Sequence, residues 1–190
     1  GIVLVAADDP GLYSSQNEQD SRMVARAAVV PVLEPSDSEE ARVFMKKAFD
    51  ISEEYDTVVM VRTTTRLAHS QGIVNLEDRV EPEDKLYTRD IAKHLLMPGT
   101  AKKRHLVVDA CSMELNRTEY RDTSIGVISS GIPYQYVREA LPEASVLKLG
   151  MVNPLPKELI KEFASKVEKL YIVEELEPVI EEQVRSWGIS

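Results

Sequence analysis

The chemistry-bearing residues of this chain are concentrated in one polar run, Ala7-Asp8-Asp9-Pro10-Gly11-Leu12-Tyr13-Ser14-Ser15-Gln16-Asn17-Glu18-Gln19-Asp20-Ser21-Arg22. Within one short span it offers carboxylates, the hydroxyls of Ser14 and Ser15, and the amides of Gln16, Asn17 and Gln19. Hydroxyls fix ligand oxygens, and amides both donate and accept. A second group, Arg62-Thr63-Thr64-Thr65-Arg66, adds guanidinium and further hydroxyls. The guanidinium of Arg62 suits a carboxylate, and Thr63 and Thr64 stand beside it. Each feature also has a structural reading. Asp8-Asp9-Pro10-Gly11 is a good turn, Asn17 to Ser21 can cap a helix, Arg62 and Arg66 can pair with Glu or Asp of a partner, and a threonine run is rich in strand formers.

Strands must position these groups. Ile2 to Ala6 precedes the first run and reads as a buried strand; Thr57 to Val61 precedes the second. Between them, Gln19 to Ala28 reads as a helix and Val30 to Leu33 as a short strand, with Pro31 marking an edge or a strand end. Ser36 and Glu39 have the spacing of a capping box. The helix they open runs to about Tyr55, with Ala41, Phe44, Met45, Ala48 and Ile51 as its apolar stripe. In a parallel sheet all strands end at one edge, so the loops after them meet there. That edge gathers residues 8–20, 34–37 and 62–66.

Residues 66–104 are irregular, punctuated by Gly72, Pro82, Pro98 and Gly99 and closed by Lys102-Lys103-Arg104; a helix is expected from about His105 to Tyr120. The last third alternates strands (Ser124–Ile128, Ser145–Leu149, Leu170–Val173) with helices opened by Pro133, Pro156 and Pro178. The helix after Pro156 presents Leu159, Ile160, Phe163, Ala164 and Val167 on one face. The last helix turns Ile180, Val184 and Trp187 inward. Its strand ends release Ser129-Ser130-Gly131, Gly150 to Pro154, and Glu174-Glu175. The first of these could cradle an anion. The adjacent glutamates point to opposite faces, which favours capping or an interface over paired acid–base work. The alternation defines an α/β fold with mainly parallel sheets flanked by helices.

Composition narrows the function. Of 190 residues 43% are apolar, enough for a packed core, and the formal net charge is −9. No long basic run exists, which argues against nucleic acid as the main partner. The acidity is uneven: residues 1–60 carry 5 basic against 12 acidic residues, and residues 61–105 carry 9 against 6. The single cysteine, Cys111, cannot form an internal disulfide or hold a metal by itself, and points to a reducing cytoplasm. The sequence has no signal peptide or membrane span. His69, His94 and His105 lack metal-ligand spacing, and no nucleophile elbow is present. No catalytic residue and no metal ligand is therefore assigned. The chain starts with Gly1 inside a strand and stops at Ser190 just after a helix, so it is expected to be a piece of a longer polypeptide.

Several segments together carry a resemblance: Ala7-Asp8-Asp9-Pro10 with Ser14 to Asp20, Val32-Leu33-Glu34-Pro35-Ser36, Arg62 to Arg66 with His69, Lys148-Leu149-Gly150, and Ile172 to Pro178. In order and content they resemble the alpha subunits of the indolepyruvate ferredoxin oxidoreductase family, thiamine-dependent 2-oxoacid oxidoreductases. The resemblance covers most of the chain outside residues 77–123. It implies that residues 1–66 are the later part of a thiamine pyrimidine-binding domain, 67–123 a partly helical connector, and 124–190 an incomplete domain like the transketolase C-terminal domain.

It also implies oxidative decarboxylation of aryl pyruvates with coenzyme A and ferredoxin, in an oligomer with a smaller beta subunit. The cofactors of such an enzyme are thiamine diphosphate, Mg2+ and 4Fe-4S clusters. The family's cofactor-activating glutamate lies upstream of this stretch, and its diphosphate domain and cluster cysteines lie downstream. None of these cofactors is expected to be held by this chain alone, which should not turn over substrate. The contrasting expectation is a non-catalytic α/β module that builds a subunit interface.

Overall fold

A computed structural model describes residues 1–81, 86–95, 97–113 and 115–189; Pro82 and Ser190, named above, lie outside the described residues. The first part follows the order β1 (Ile2–Asp8), α1 (Ser21–Ala28), β2 (Val32–Leu33), α2 (Ser38–Tyr55), β3 (Val58–Thr64) and α3 (Thr65–His69). The middle contains α4 (Ile91–His94), α5 (Pro98–Asp109), a 3-10 turn (Ala110–Met113) and β4 (Arg117–Glu119). The last part follows as β5 (Asp122–Ser130), α6 (Pro133–Ala140), β6 (Ala144–Leu149), β7 (Met151–Asn153), α7 (Lys157–Ser165), β8 (Lys169–Val173) and α8 (Val179–Ser186).

The strands form two four-stranded sheets, ordered β1-β3-β2-β7 and β4-β6-β5-β8. In the first, β1 and β2 run parallel to β3, with Asp8 opposite Thr64 and Leu33 opposite Val61. In the second, β6 and β8 run parallel to β5, with Ser130 opposite Leu149 and Ser129 opposite Val173. The expected α/β class with mainly parallel sheets is what the chain forms.

Gly150 is where the chain passes from one sheet to the other. It separates β6 from β7, and β7 pairs antiparallel with β2. A side chain at Gly150 would put its Cβ 2.2 Å from the backbone oxygen of Leu115, so only glycine fits. Asn116 Oδ1 accepts from the Gly150 and Met151 amides at 3.0 and 3.2 Å, and the Gly150 carbonyl accepts from the Glu34 amide at 2.9 Å. Ala25, Val32 and Met60 from the first part pack into one core with Ile128, Leu147, Leu149, Ile160, Phe163 and Ile180 from the last.

Several expectations are corrected. β1 is a strand but not a buried one: it is the edge of its sheet, and Ile2, Leu4 and Val5 are 64%, 49% and 54% exposed. Of the two positions Pro31 suggested, the strand end is the one formed: Pro31 directly precedes β2, which lies inside the sheet, and gives its carbonyl to the Met60 amide. The capping box is shifted by one residue. Asp37 is the cap and accepts from the Glu40 amide, while the Glu40 carboxylate reaches back to the amide and hydroxyl of Ser36.

The helix expected from His105 begins instead at Pro98, whose fixed φ suits a first turn. It stops at Asp109, where Ala110–Met113 tightens into a 3-10 turn. Gly150 to Pro154, expected as a strand-end loop, contains the short strand β7: Met151 to Asn153 is too brief to show a period and is bounded by Gly150 and Pro154. Among the described residues no helix is long and apolar enough to cross a membrane.

Candidate functional site

The carboxyl ends of the parallel strands carry a two-layer polar site. Its base is buried. Asp8, at the end of β1, accepts from the Ser21 amide at 2.9 Å and from Arg62 Nε at 2.5 Å. Arg62 also donates through Nη1 to Glu34, which follows β2. Glu34 in turn accepts from the Ser130 hydroxyl at the end of β5. Burial alone would raise the Glu34 pKa; the guanidiniums of Arg62 and Arg22, with the Ser130 hydroxyl, hold it below the ordinary range. Gly131 adopts φ +54° beside this carboxylate, and a Cβ there would stand 3.2 Å from Glu34 Cγ. The anion received by the Ser130–Gly131 turn is thus the protein's own Glu34.

Arg22 completes the base. It sits in the first turn of α1, where the helix dipole disfavours a cation, and it is 1% exposed. Its placement is explained by its partners: Asp20 on Nε and Nη2, Glu174 Oε2 at 2.9 Å from Nη1, and the carbonyls of Glu175 and Glu177 at 2.7 and 2.9 Å from Nη2. Glu174 also accepts from the Ile180 and Glu181 amides, so it caps α8 as expected. Burial raises the Glu174 pKa. Burial likewise raises that of Glu175, whose carboxylate lies 3.7 Å from Arg66 Nε.

Among the described residues, Arg62 Nη2 is a buried donor with no hydrogen-bond partner, and Thr64 Oγ1, which faces the Glu175 carboxylate, makes no well-formed hydrogen bond. Buried polar atoms of this kind are rare and call for an acceptor.

The upper layer is the loop after β1. Asp9 organises it, accepting from the Ser14 and Ser15 amides at 2.6 and 2.7 Å and from the Thr65 hydroxyl at 2.6 Å. These hydrogen bonds hold its carboxyl well below the usual range. Glu18 accepts from the Gly11 amide, and the Ser15 hydroxyl donates to the Asn17 carbonyl at 2.9 Å. With the backbone fixed in this way, Ser14, Ser15, Gln16, Asn17 and Gln19 are exposed at the loop surface. Asp20, rather than an earlier residue, caps α1.

Asp8 and Asp9 bring Ser14, Ser15, Arg62 and Thr64 to one sheet edge, but at different depths. Arg62 and Thr64 lie under the loop, 1% and 5% exposed. Thr63 is half-buried and donates to the Ala6 carbonyl at 3.3 Å.

Sequence reasoning missed Arg22, Tyr13 and Tyr136. A cation in the first turn of a helix was the available signal for Arg22. Tyr13 and Tyr136, 123 positions apart, gave none. Arg66 Nη1 donates to the Tyr136 hydroxyl at 2.9 Å and Nη2 to that of Tyr13 at 3.0 Å. Cys111 is buried against Met151. Among the described residues no group of three or more His, Cys, Asp or Glu side chains is placed to hold a metal ion.

No protein-family model matches the chain. Curated relatives do. It is 40% identical to the indolepyruvate oxidoreductase subunit IorA of Methanothermobacter thermautotrophicus over 97% of this chain and 32% of that subunit. It is 40% identical to that of Thermococcus kodakarensis over 99% of this chain and 32% of the subunit. It is 41% identical to that of Methanothermobacter marburgensis over 100% and 33%. The chain thus spans about one third of the length of these relatives.

Its fold is found in a solved 2-oxoglutarate:ferredoxin oxidoreductase from Magnetococcus marinus with 2-oxoglutarate, coenzyme A and succinyl-CoA bound. That match has a TM-score of 0.71 at 14% identity, covering 97% of this chain and 43% of the other. A split-gene transketolase, an inactive beta4 tetramer, matches at TM-score 0.54 and 14% identity over 97% and 53%. The chain is therefore related over its whole length to the IorA subunits of indolepyruvate oxidoreductase, and carries a fold shared with a 2-oxoacid:ferredoxin oxidoreductase and a transketolase.

Proposed function

We propose that this chain is part of the alpha-type subunit of an enzyme that oxidatively decarboxylates aryl pyruvates such as indolepyruvate, with coenzyme A and ferredoxin. Identity near 40% along the whole chain to IorA subunits carries this reading. In that enzyme thiamine diphosphate supplies the carbanion chemistry, and the protein supplies orientation and electrostatics. The residues of this chain fit the second role. The exposed hydroxyls and amides of Ser14, Ser15, Gln16, Asn17 and Gln19 contact the ligand edge. The unpartnered Arg62 Nη2 offers a donor beneath them, with the Thr64 hydroxyl beside Glu175 and Thr63 alongside.

Thiamine diphosphate, Mg2+ and the 4Fe-4S clusters belong to the complete enzyme, completed by parts outside this chain. Its partners are a smaller beta subunit and ferredoxin, its assembly is oligomeric, and its compartment is the cytoplasm. Residues 1–66, 67–123 and 124–190 correspond to the pyrimidine-binding portion, connector and transketolase C-terminal-like portion.

One observation favours the contrasting reading, a non-catalytic interface module: the apolar edge of β1 stands uncovered. The discriminating assay is ferredoxin reduction by the full-length subunit and its beta partner, supplied with an aryl 2-oxoacid and coenzyme A. Activity that depends on both is expected, and Arg62→Lys should raise the apparent KM for the oxoacid. A complex inert toward every 2-oxoacid leaves the interface reading, and unchanged kinetics in Arg62→Lys retire the role of that side chain.

A further inference from the structure

We propose that Tyr13, Arg66 and Tyr136 form the surface that receives the aryl group of the substrate, so that preference for an aromatic oxoacid is set at the rim of the site. The inference rests on the reading above and adds to it the residues that recognise the ring. The three side chains come from three strand ends: the loop after β1, α3 after β3, and α6 after β5. Arg66 joins the other two, with its Cζ 5.6 Å from the Tyr13 ring centroid and 5.7 Å from that of Tyr136.

The cluster is poorly suited to holding an anion. Both terminal nitrogens of Arg66 already donate to the tyrosine hydroxyls, and Glu175 stands 3.7 Å from Nε as a countercharge. Ring surface stands open beside the guanidinium, with Tyr13 63% and Tyr136 46% exposed and the Arg66 side chain 46% exposed. Rings tethered at their hydroxyls and open elsewhere suit an aromatic group, which prefers offset or edge-to-face contact with another ring. The rim lies next to Asp9 and Thr65, so it adjoins the loop proposed to meet the polar end of the ligand.

The test uses the full-length subunit with its beta partner and compares kcat/KM for phenylpyruvate with kcat/KM for pyruvate. Tyr136→Ala should lower the aryl-to-aliphatic ratio by about tenfold, the scale of one lost ring–ring contact. Tyr136→Phe keeps the ring but removes the hydroxyl that accepts from Arg66, and should preserve the ratio. An unchanged ratio in Tyr136→Ala overturns the proposal. So does an equal fall in Tyr136→Phe, which would mark the cluster as a latch. A wild-type complex without activity on any 2-oxoacid overturns the underlying reading and this inference with it, whereas normal wild-type activity with no Tyr136 effect overturns this inference alone.

Discussion

Arg22 Nη1 donates to Glu174 Oε2 at 2.9 Å, joining residues 152 positions apart in sequence. The guanidinium belongs to the helix after β1, and the carboxylate belongs to the turn after β8. Both are buried, so the pair fastens the first sheet's polar loop to the last strand of the second. Removing Arg22 leaves the buried Glu174 without its countercharge and Asp20 with only Arg62, 3.8 Å away. Arg22→Ala should therefore destabilise the chain by about 3–5 kcal/mol, read as a lower urea midpoint at unchanged slope. Arg22→Lys should recover only part of that loss, because an ammonium cannot reproduce the fork that serves Asp20, Glu174 and two carbonyls.

The buried carboxylates predict pH dependence of two opposite signs. Asp20 and Glu34 are held below their unfolded values, so their contribution is present above about pH 4 and is lost as pH falls through the lower folded values. Glu175 is raised by burial, so its contribution is present below its unfolded pKa and lost as pH rises through the folded one. Glu175→Gln should accordingly raise the denaturation midpoint at neutral pH and leave it unchanged below about pH 4. Paired urea titrations at the two pH values measure the difference.

Gly131 combines a left-handed φ of +54° with the close approach of Glu34. Gly131→Ala should cost about 1–3 kcal/mol and loosen the Ser130–Glu34 contact. Thermal unfolding reads the first effect, and amide exchange at residues 130–134 reads the second.

An open strand edge with apolar side chains is a template for pairing with another chain. The isolated chain should self-associate through β1, where Ile2, Leu4 and Val5 are exposed. Leu4→Lys with Val5→Lys should shift it toward monomer in sedimentation velocity at equal concentration, without lowering the unfolding midpoint by more than about 0.5 kcal/mol equivalent.

Most readings that rest on a repeating or local physical signal agree with the structure, the capping box displaced by one residue being an exception. The 3.6-residue apolar stripe of α2, the prolines that open α6, α7 and α8, and the polar loop after β1 are all local patterns. What else eluded the sequence reading depended on partners distant in the chain. The exposure of β1 is set by the absence of a neighbour on one side, which Ile2 to Ala6 cannot encode alone. The sheet crossing at Gly150 depends on Leu115 and Asn116. Arg62 looked like an open ligand donor in sequence, whereas Asp8 and Glu34 engage Nε and Nη1 and leave only Nη2. The rim of Tyr13, Arg66 and Tyr136 exists only once both sheets are folded.

The most direct test of ligand binding at these strand ends is hydrogen–deuterium exchange on the full-length subunit and its beta partner, with and without an aryl 2-oxoacid. Slowed exchange confined to peptides spanning residues 11–20 and 62–66 is the predicted result. Slowed exchange elsewhere in the complex, with these two segments unchanged, would contradict the account.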